Sequence, residues 1–240
     1  MSDWIQIVVY TWLAGLTMGL GGSLATIERI QPQWLEKEFR HGVIAFGGVA
    51  LFSAVSLVLV PKGIENLTMA GATLSFLSGA FFFADLSWIA NHSGWSILNL
   101  IAMLADYVPE AIALGATLST ESQTGYILAF LIGLQNFPEG FNAYREQIHS
   151  KRAKAWQVLT VLFALSLLGP LAGILGYSFL TGHPKVLGMI MLFASSGILY
   201  LVFRDLAPQA KLKNTWLPPM GAILGFLLGL MGHLFLLQWK

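Results

Sequence analysis

The chain is dominated by long apolar stretches that short polar segments separate. Eight of these stretches hold about 20 mainly apolar residues, the length that an α-helix needs to cross the hydrocarbon core of a bilayer. The first is free of formal charge from Trp4 to Ile27, and the last from Asn214 to Trp239. The pattern predicts eight membrane-spanning helices, at 4–26, 43–60, 67–90, 95–119, 125–144, 156–180, 186–207 and 215–238.

The composition agrees with a lipid environment. Hydrophobic residues make up 56% of the chain and charged residues 10%, whereas a soluble domain carries about 25% charged residues. We therefore expect one all-α membrane domain over residues 1–240. The absence of cysteine excludes disulfides, thiolate metal sites and cysteine nucleophiles. The formal net charge of +1 leaves no basic field that would gather nucleic acid.

The distribution of positive charge predicts how the spans are oriented. Loops after the first, third, fifth and seventh spans carry ten Lys and Arg residues, and the opposite side carries three, Lys62, Lys185 and Lys240. Because cytoplasmic loops are enriched in Lys and Arg, we expect both termini outside and the 145–154 loop in the cytoplasm. The start of the chain lacks the basic region of a cleavable signal, so the first apolar segment is expected to remain as a span. Together with the compact loops, this favours a bacterial inner membrane.

Glycines recur at a spacing of four in several predicted spans, as in Gly15/Gly19, Gly169/Gly173 and Gly221/Gly225/Gly229. In lipid, small residues at this spacing let helix backbones approach closely. We expect these glycines to serve helix packing rather than chemistry.

Two similar hexamers place ionisable residues in the middle of consecutive spans. The fourth span contains Asp106–Ala111, with the sequence DYVPEA, and the fifth contains Gln135–Gly140, with the sequence QNFPEG. Both follow the pattern polar-x-apolar-Pro-Glu-small. An ionisable group at mid-membrane costs about 2.5–3.5 kcal/mol on insertion scales, so such residues are candidates for function.

Helical spacing gives the polar residues of each hexamer a common direction. Asp106 and Glu110 are four residues apart, as are Gln135 and Glu139, so each pair lies on one helix face. The prolines remove backbone hydrogen bonds, which predicts kinked or broken helices beside a hydrated cavity. Three nearby carboxylates repel one another unless they are protonated or bind a cation, and oxygen ligands suit a divalent metal ion. The alternative is that the prolines only kink the helices and the glutamates line a structural water cavity.

At these residues the chain resembles the ZIP (Zrt-, Irt-like protein) family of divalent-metal transporters, whose fourth and fifth spans carry His-Asn-x-Pro-Glu-Gly or close variants. The segments Ala45–Pro61 and Ser195–Pro208 and the acid Asp85 are also similar to that family. The resemblance implies eight spans in a 3+2+3 arrangement, with spans one to three and six to eight as inverted repeats and the termini outside. It also implies that spans one, four, five and six move as a block against the other four.

The resemblance implies a metal site that is carried over residue by residue. Its ligands would be Asp106, Glu110, Gln135 and Glu139, with Asn136 as a further ligand. These are the candidate site residues of the chain.

The chain departs from the family pattern at four positions. Asp106 and Gln135 replace histidines, Tyr107 replaces an asparagine, and Gly169 stands where the sixth span of the family commonly carries a glutamate. The family is expected to hold two metal ions bridged by the two glutamates, so the losses at Tyr107 and Gly169 imply one principal site in this chain. Replacing imidazole by carboxylate moves the ligand preference toward harder ions such as Mn²⁺ or Mg²⁺, although Zn²⁺ also accepts carboxylates.

These observations predict a transporter for a divalent metal cation such as Zn²⁺, Mn²⁺ or Fe²⁺, with the metal as cargo and no resident cofactor. The alternative is a non-transporting ZIP-like membrane protein that binds metal or has lost turnover. A metal-dependent hydrolase, and with it an enzyme, is disfavoured because the chain has no HExxH motif and His233 stands alone in its span. The expected partners are the cation and the lipid bilayer, and the candidate assembly is a homodimer.

Overall fold

The computed structural model describes residues 3–28, 38–93, 97–149, 153–211 and 215–238, and the regular structure within these ranges is helical. The first six helices are α1 (Asp3–Glu28), α2 (Arg40–Ala54), α3 (Val60–Ile64), α4 (Met69–Ser93), α5 (Ile97–Thr120) and α6 (Ser122–His149). They are followed by α7 (Ala155–Leu165), α8 (Leu168–Leu180), α9 (Pro184–Leu201), α10 (Ala207–Gln209) and α11 (Leu217–Gln238).

Most of the helical segments are suited to a bilayer. Among the described residues, six segments are long and apolar enough to cross a membrane: Asp3–Ile27, Arg40–Ile64, Met69–Ile89, Ala155–Leu180, Pro184–Gln209 and Leu217–Phe235. The helices α5 and α6 carry the two polar hexamers and have 24 and 28 residues, which gives lengths of about 36 and 42 Å. The protein is therefore an all-helical multipass membrane protein. That α5 and α6 also cross the bilayer, to give eight spans, stays a prediction.

The helices pack in two groups. In the first group, α1 packs on α6, α8 packs on α5, and α5 contacts α6. In the second group, α2 packs on α11 and α9 packs on α4. The groups meet where α2 contacts α6 and where α9 contacts α5. The arrangement of the helices as inverted repeats stays a prediction.

Among the described residues, two π-helical turns interrupt long helices of the second group. Val55–Leu59 joins α2 to α3 and is followed by Pro61, and Val202–Leu206 joins α9 to α10 and is followed by Pro208. A proline has no N–H to donate to the carbonyl four residues earlier. The wider turn changes the hydrogen-bonding register directly before each proline, so both helices continue past it.

Glycines allow the closest approaches between helices, as the sequence pattern predicts. A Cβ atom on Gly115 of α5 would overlap the main chain of Gly173 in α8. Likewise, Gly221 and Gly225 of α11 lie directly against main-chain carbonyls of α2. The role of the spaced glycines in helix packing is thereby confirmed.

Replacing Gly115 by leucine should destabilise the protein, because the new side chain would have to displace the main chain of Gly173. Overpacking of this kind costs about 1–3 kcal/mol and occasionally more. The thermal unfolding midpoint of the purified protein in detergent measures the effect. Gly71→Leu is the matched control, because a Cβ atom there would lie an ordinary 3.4 Å from Thr68 Oγ1. Equal unfolding midpoints for the two variants would show that the α5–α8 contact is looser than described.

Candidate functional site

The contact between α5 and α6 brings together one polar residue from each hexamer. Glu110 of α5 and Gln135 of α6 are each about 1% exposed. The side-chain N–H of Gln135, on Nε2, donates a hydrogen bond to Glu110 Oε2. A carboxylate and an amide therefore face each other in an interior closed to bulk solvent.

The other carboxylates of the predicted site lie one helical turn from this pair. Glu139 follows Gln135 on the same face of α6 and is partly exposed, with its Oε2 atom buried. Asp106 precedes Glu110 on α5, but its side chain lies outside the described part of the structure. Among the side chains that are described, no three His, Cys, Asp or Glu residues form a group that could hold a metal ion. The meeting of three carboxylates depends on Asp106 and stays a prediction.

Asn136 points from α6 toward α1. Its Nδ2 atom donates a 3.0 Å hydrogen bond to the carbonyl of Ala14, and the residue is fully buried. Because a carbonyl only accepts hydrogen bonds, this contact fixes which end of the amide faces α1. The Oδ1 atom is thereby left as an acceptor, buried and without a hydrogen-bond partner among the described residues. An amide oxygen is a suitable ligand for a hard cation.

Pro109 and Pro138 lie inside α5 and α6, which continue through them. The two helices are therefore not broken at these prolines, and a kink at either one stays a prediction. Pro138 has a packing role instead, because its ring covers Gly47 of α2, where a Cβ atom would come within 2.5 Å of Pro138 Cγ. The two groups of helices touch at this point, one residue from Glu139.

Tyr107 fills the space beside the site, between α5, α1 and α8. Its side chain is 1% exposed, and its hydroxyl donates a 2.9 Å hydrogen bond to the carbonyl of Thr11. Gly15 and Gly169 both border the phenol, and a Cβ atom on either glycine would overlap its oxygen. The tyrosine thus occupies the volume that a side chain at position 169 would need.

Sequence reasoning missed two features of this region. The pairing of Tyr107 with Gly15 and Gly169 was not predicted, because it depends on which helices are neighbours. Asn142 was not singled out either, although its spacing of seven from Gln135 places it on the same face of α6.

His233, on α11, is the remaining histidine that the sequence places inside a span. Its Nδ1 atom is buried and has no hydrogen-bond partner among the described residues. It does not belong to any described group of three candidate metal ligands.

No family model matches the sequence. The chain is 30% identical over 159 residues to the zinc transporter ZupT of Corynebacterium efficiens, an alignment that covers 59% of this chain and 53% of that protein. It is 26% identical over an alignment of 255 positions to the zinc transporter ZupT of Chlorobium phaeovibrioides, covering 88% of this chain and 90% of the relative. The chain thus spans about half the length of the first relative and most of the second. Together with the paired hexamers, these similarities support membership of the ZIP family.

Proposed function

We propose that this protein carries a divalent metal cation across a membrane through a site between α5 and α6. The observation that supports this most directly is the buried contact between Glu110 and Gln135. A carboxylate at this depth is costly unless it is protonated, paired or bound to a cation. The two relatives are both named zinc transporters, which favours a metal ion as the transported cation.

The proposed ligands are Glu110 and Glu139, assisted by Asp106, Gln135 and Asn136. In the structure, the amide N–H of Gln135 donates a hydrogen bond to Glu110. Rotating that amide by half a turn presents its oxygen instead, so the same side chain can change from hydrogen-bond donor to metal ligand. Asn136 is already oriented with its oxygen away from α1, because Ala14 holds its nitrogen.

The site is proposed to hold one principal metal ion. A second ion beside Asn136 would need a ligand from α8, and Tyr107 occupies the space that any side chain on Gly169 would enter. The proposed ligands are all oxygen atoms, which suits Mn²⁺ and Fe²⁺, and Zn²⁺ also accepts them. The cargo is therefore zinc or another divalent transition metal.

The proposed arrangement has eight spans with both termini outside, in a bacterial inner membrane. The helices that carry the site, α5 and α6, would move with α1, α7 and α8 against the second group. The contact of Pro138 with Gly47 lies on the boundary between the groups, where such a movement would take place. A homodimer is the proposed assembly.

The experiment that tests this function is metal flux into liposomes that contain the purified protein. We expect saturable uptake of Zn²⁺ or Mn²⁺, with Fe²⁺ and Cd²⁺ as competitors and Mg²⁺ taken up more slowly because it dehydrates reluctantly. Liposomes without protein set the background. If metal ions raise the unfolding temperature but do not cross the membrane, the protein is a non-transporting member of the family. If neither effect is seen, the proposed site is wrong.

A further inference from the structure

An apolar groove runs along the protein where α1, α6 and α2 meet. Its volume is about 570 Å³, within the range of about 300–1,000 Å³ that is usual for ligand sites. One wall is formed by α1 and α6 of the first group, and the other by the start of α2 in the second group. The groove therefore touches both groups of helices. Its lining is mostly apolar and includes Leu13, Leu24, Val43, Phe46 and Phe130.

The lining offers few polar atoms to a ligand. Two of its three hydroxyl groups are already bonded within the protein. Thr17 donates a 2.7 Å hydrogen bond to the carbonyl of Ala14, and Tyr126 donates a 3.2 Å hydrogen bond to Gln6 Oε1. Water and ions need several polar partners, and apolar cavities stay free of water. The occupant of the groove is therefore expected to be apolar, and in a bilayer the abundant apolar ligand is the acyl chain of a lipid.

The groove is long enough for one acyl chain and is open at one end. It extends along α1 from Tyr10 to Leu24, a rise of about 21 Å. Since this is more than half of the hydrocarbon core of about 30 Å, a chain from one leaflet can lie along it. At one end, the rings of Tyr10 and Tyr126 are in contact, with centroids 4.8 Å apart. At the other end, Leu24 and Phe39 are 40% and 45% exposed, so a chain can enter there.

The course of the helices shows on which side the open end lies. Tyr10 contacts Tyr126 toward the amino ends of α1 and α6. A Cβ atom on Gly21 would overlap the main-chain oxygen of Phe137, nearer to the carboxyl ends of these helices. The two helices thus run in the same direction. Because residues 29–37 connect α1 to α2, the open end lies where α1 and α6 end and α2 begins.

The charges of the segments that flank the open end suit a phospholipid headgroup. Phe39 is followed directly by Arg40 and His41, and α6 ends within the 145–154 segment. Residues 38–41 and 145–154 together carry five Lys or Arg residues and two glutamates. Basic residues beside a membrane attract anionic headgroups. The open end is therefore complementary to an anionic phospholipid in the leaflet on that side.

We propose that this groove binds one acyl chain of an anionic phospholipid, with the headgroup beside the start of α2 and the end of α6. The chain lies against α1 and α6 on one side and α2 on the other, and it passes Pro138, where the two groups of helices touch. A ligand that contacts both groups stabilises the arrangement in which the groove has this shape. The inference requires a membrane protein but not metal transport, so it goes beyond the proposed function and can fail separately from it.

Val43→Trp tests the proposal by filling the groove. Val43 lines the groove from α2 and is partly exposed, so a larger side chain there takes space from the acyl chain. Val161→Trp is the matched control, because Val161 of α7 is 41% exposed and lies outside the groove. Native mass spectrometry of the proteins purified in detergent counts the bound phospholipids. We expect the parent protein and Val161→Trp to retain one more phosphatidylglycerol per chain than Val43→Trp. Equal numbers in all three proteins would overturn the proposal.

Photo-crosslinking of the parent protein locates the lipid, and it decides even if Val43→Trp does not fold. Phosphatidylglycerol with a diazirine at the end of one acyl chain should label peptides around Tyr10 and Tyr126, the closed end of the groove. Unlabelled phosphatidylglycerol should compete more strongly than phosphatidylcholine. Labelling spread evenly over the exposed helices α4 and α11 would overturn the proposal, and equal competition would overturn the anionic headgroup.

Unfolding temperatures and mass measurements distinguish the lipid from other occupants. Added phosphatidylglycerol should raise the unfolding temperature of the parent protein and Val161→Trp more than that of Val43→Trp, because a ligand that binds only the folded state stabilises it. If the parent protein holds no lipid in the groove and Val43→Trp converts a dimer into monomers, a second copy of the chain covers the groove and the proposal is wrong. Transport of Mn²⁺ by a parent protein with an empty groove would leave the proposed function intact.

Discussion

Replacing Glu110 by alanine or glutamine should abolish metal uptake by the reconstituted protein. We expect initial rates to fall by more than about 100-fold, because a direct ligand contributes more than an outer partner, whose loss costs 10–100-fold. Glu110 is 1% exposed and hydrogen-bonded to Gln135, so no carboxylate from the protein surface can take its place. Uptake of radioactive Mn²⁺ or Zn²⁺ into liposomes measures the effect.

The glutamine variant distinguishes the loss of the charge from the loss of packing. Glu110→Gln keeps the volume of the side chain and a polar group beside Gln135, while it removes a buried negative charge whose desolvation opposes folding. In the absence of metal, the unfolding temperature of the variant should therefore be at least as high as that of the parent protein. Metal ions should no longer raise it. An enzyme-like or structural role for Glu110 would not produce this combination.

Glu121→Gln is the matched control for the loss of a glutamate. Glu121 lies between α5 and α6, and its side chain is 43% exposed and pairs with Lys62 at 2.5 Å. Exposed ion pairs contribute about 0–1 kcal/mol, so this variant should fold and transport like the parent protein. Near-parental uptake by Glu110→Ala would contradict the assignment of the site to α5 and α6.

The sequence predicts the helices well because lipid constrains them strongly. A backbone in hydrocarbon must satisfy its own hydrogen bonds, so long apolar runs become helices, and each predicted span contains a described helical segment. Hydropathy carries no information on hydrogen-bonding register. The turn at Ser166 and Leu167 between α7 and α8, and the π-helical turns before Pro61 and Pro208, were therefore not predicted.

Within the site, the sequence predicts what a single helix determines. The spacing of Gln135 and Glu139 places both on one face of α6, and the matching depth of the hexamers predicts the approach of Glu110 to Gln135. The direction of Asn136 toward Ala14 depends on which helix packs beside α6. That neighbour is set by tertiary packing, such as the close approach of Gly140 to the main chain of Met18. A single sequence does not reveal such a pairing.

The position of Tyr107 leads to the second prediction with a large effect. Gly169→Glu alone should strongly destabilise the protein, because even its Cβ atom would overlap the tyrosine oxygen and lie 2.7 Å from the carbonyl of Thr11. Tyr107→Asn alone should also destabilise it, by about 3–5 kcal/mol as for other large aromatic truncations in a core. The double variant removes the overlap with the phenol and fills part of the cavity, although the close approach to the carbonyl of Thr11 remains. It should therefore be more stable than the sum of the single effects predicts, by about 0.5–3 kcal/mol for residues in direct contact.

Unfolding temperatures of the parent protein, the two single variants and the double variant measure this coupling, and metal analysis of the purified proteins adds a chemical readout. If the glutamate at position 169 reaches Asn136 and Glu110 through the space that the phenol occupied, the bound Zn²⁺ should rise from one ion per chain to two. Tyr107→Asn combined with Gly169→Leu is the control, because it removes the same phenol without adding a ligand, and it should bind one ion. Additive effects on stability would mean that Tyr107 and Gly169 are not in contact. Recovered stability with a single bound ion would mean that the space beside Tyr107 is too small or too far from Glu110 to hold a metal ion.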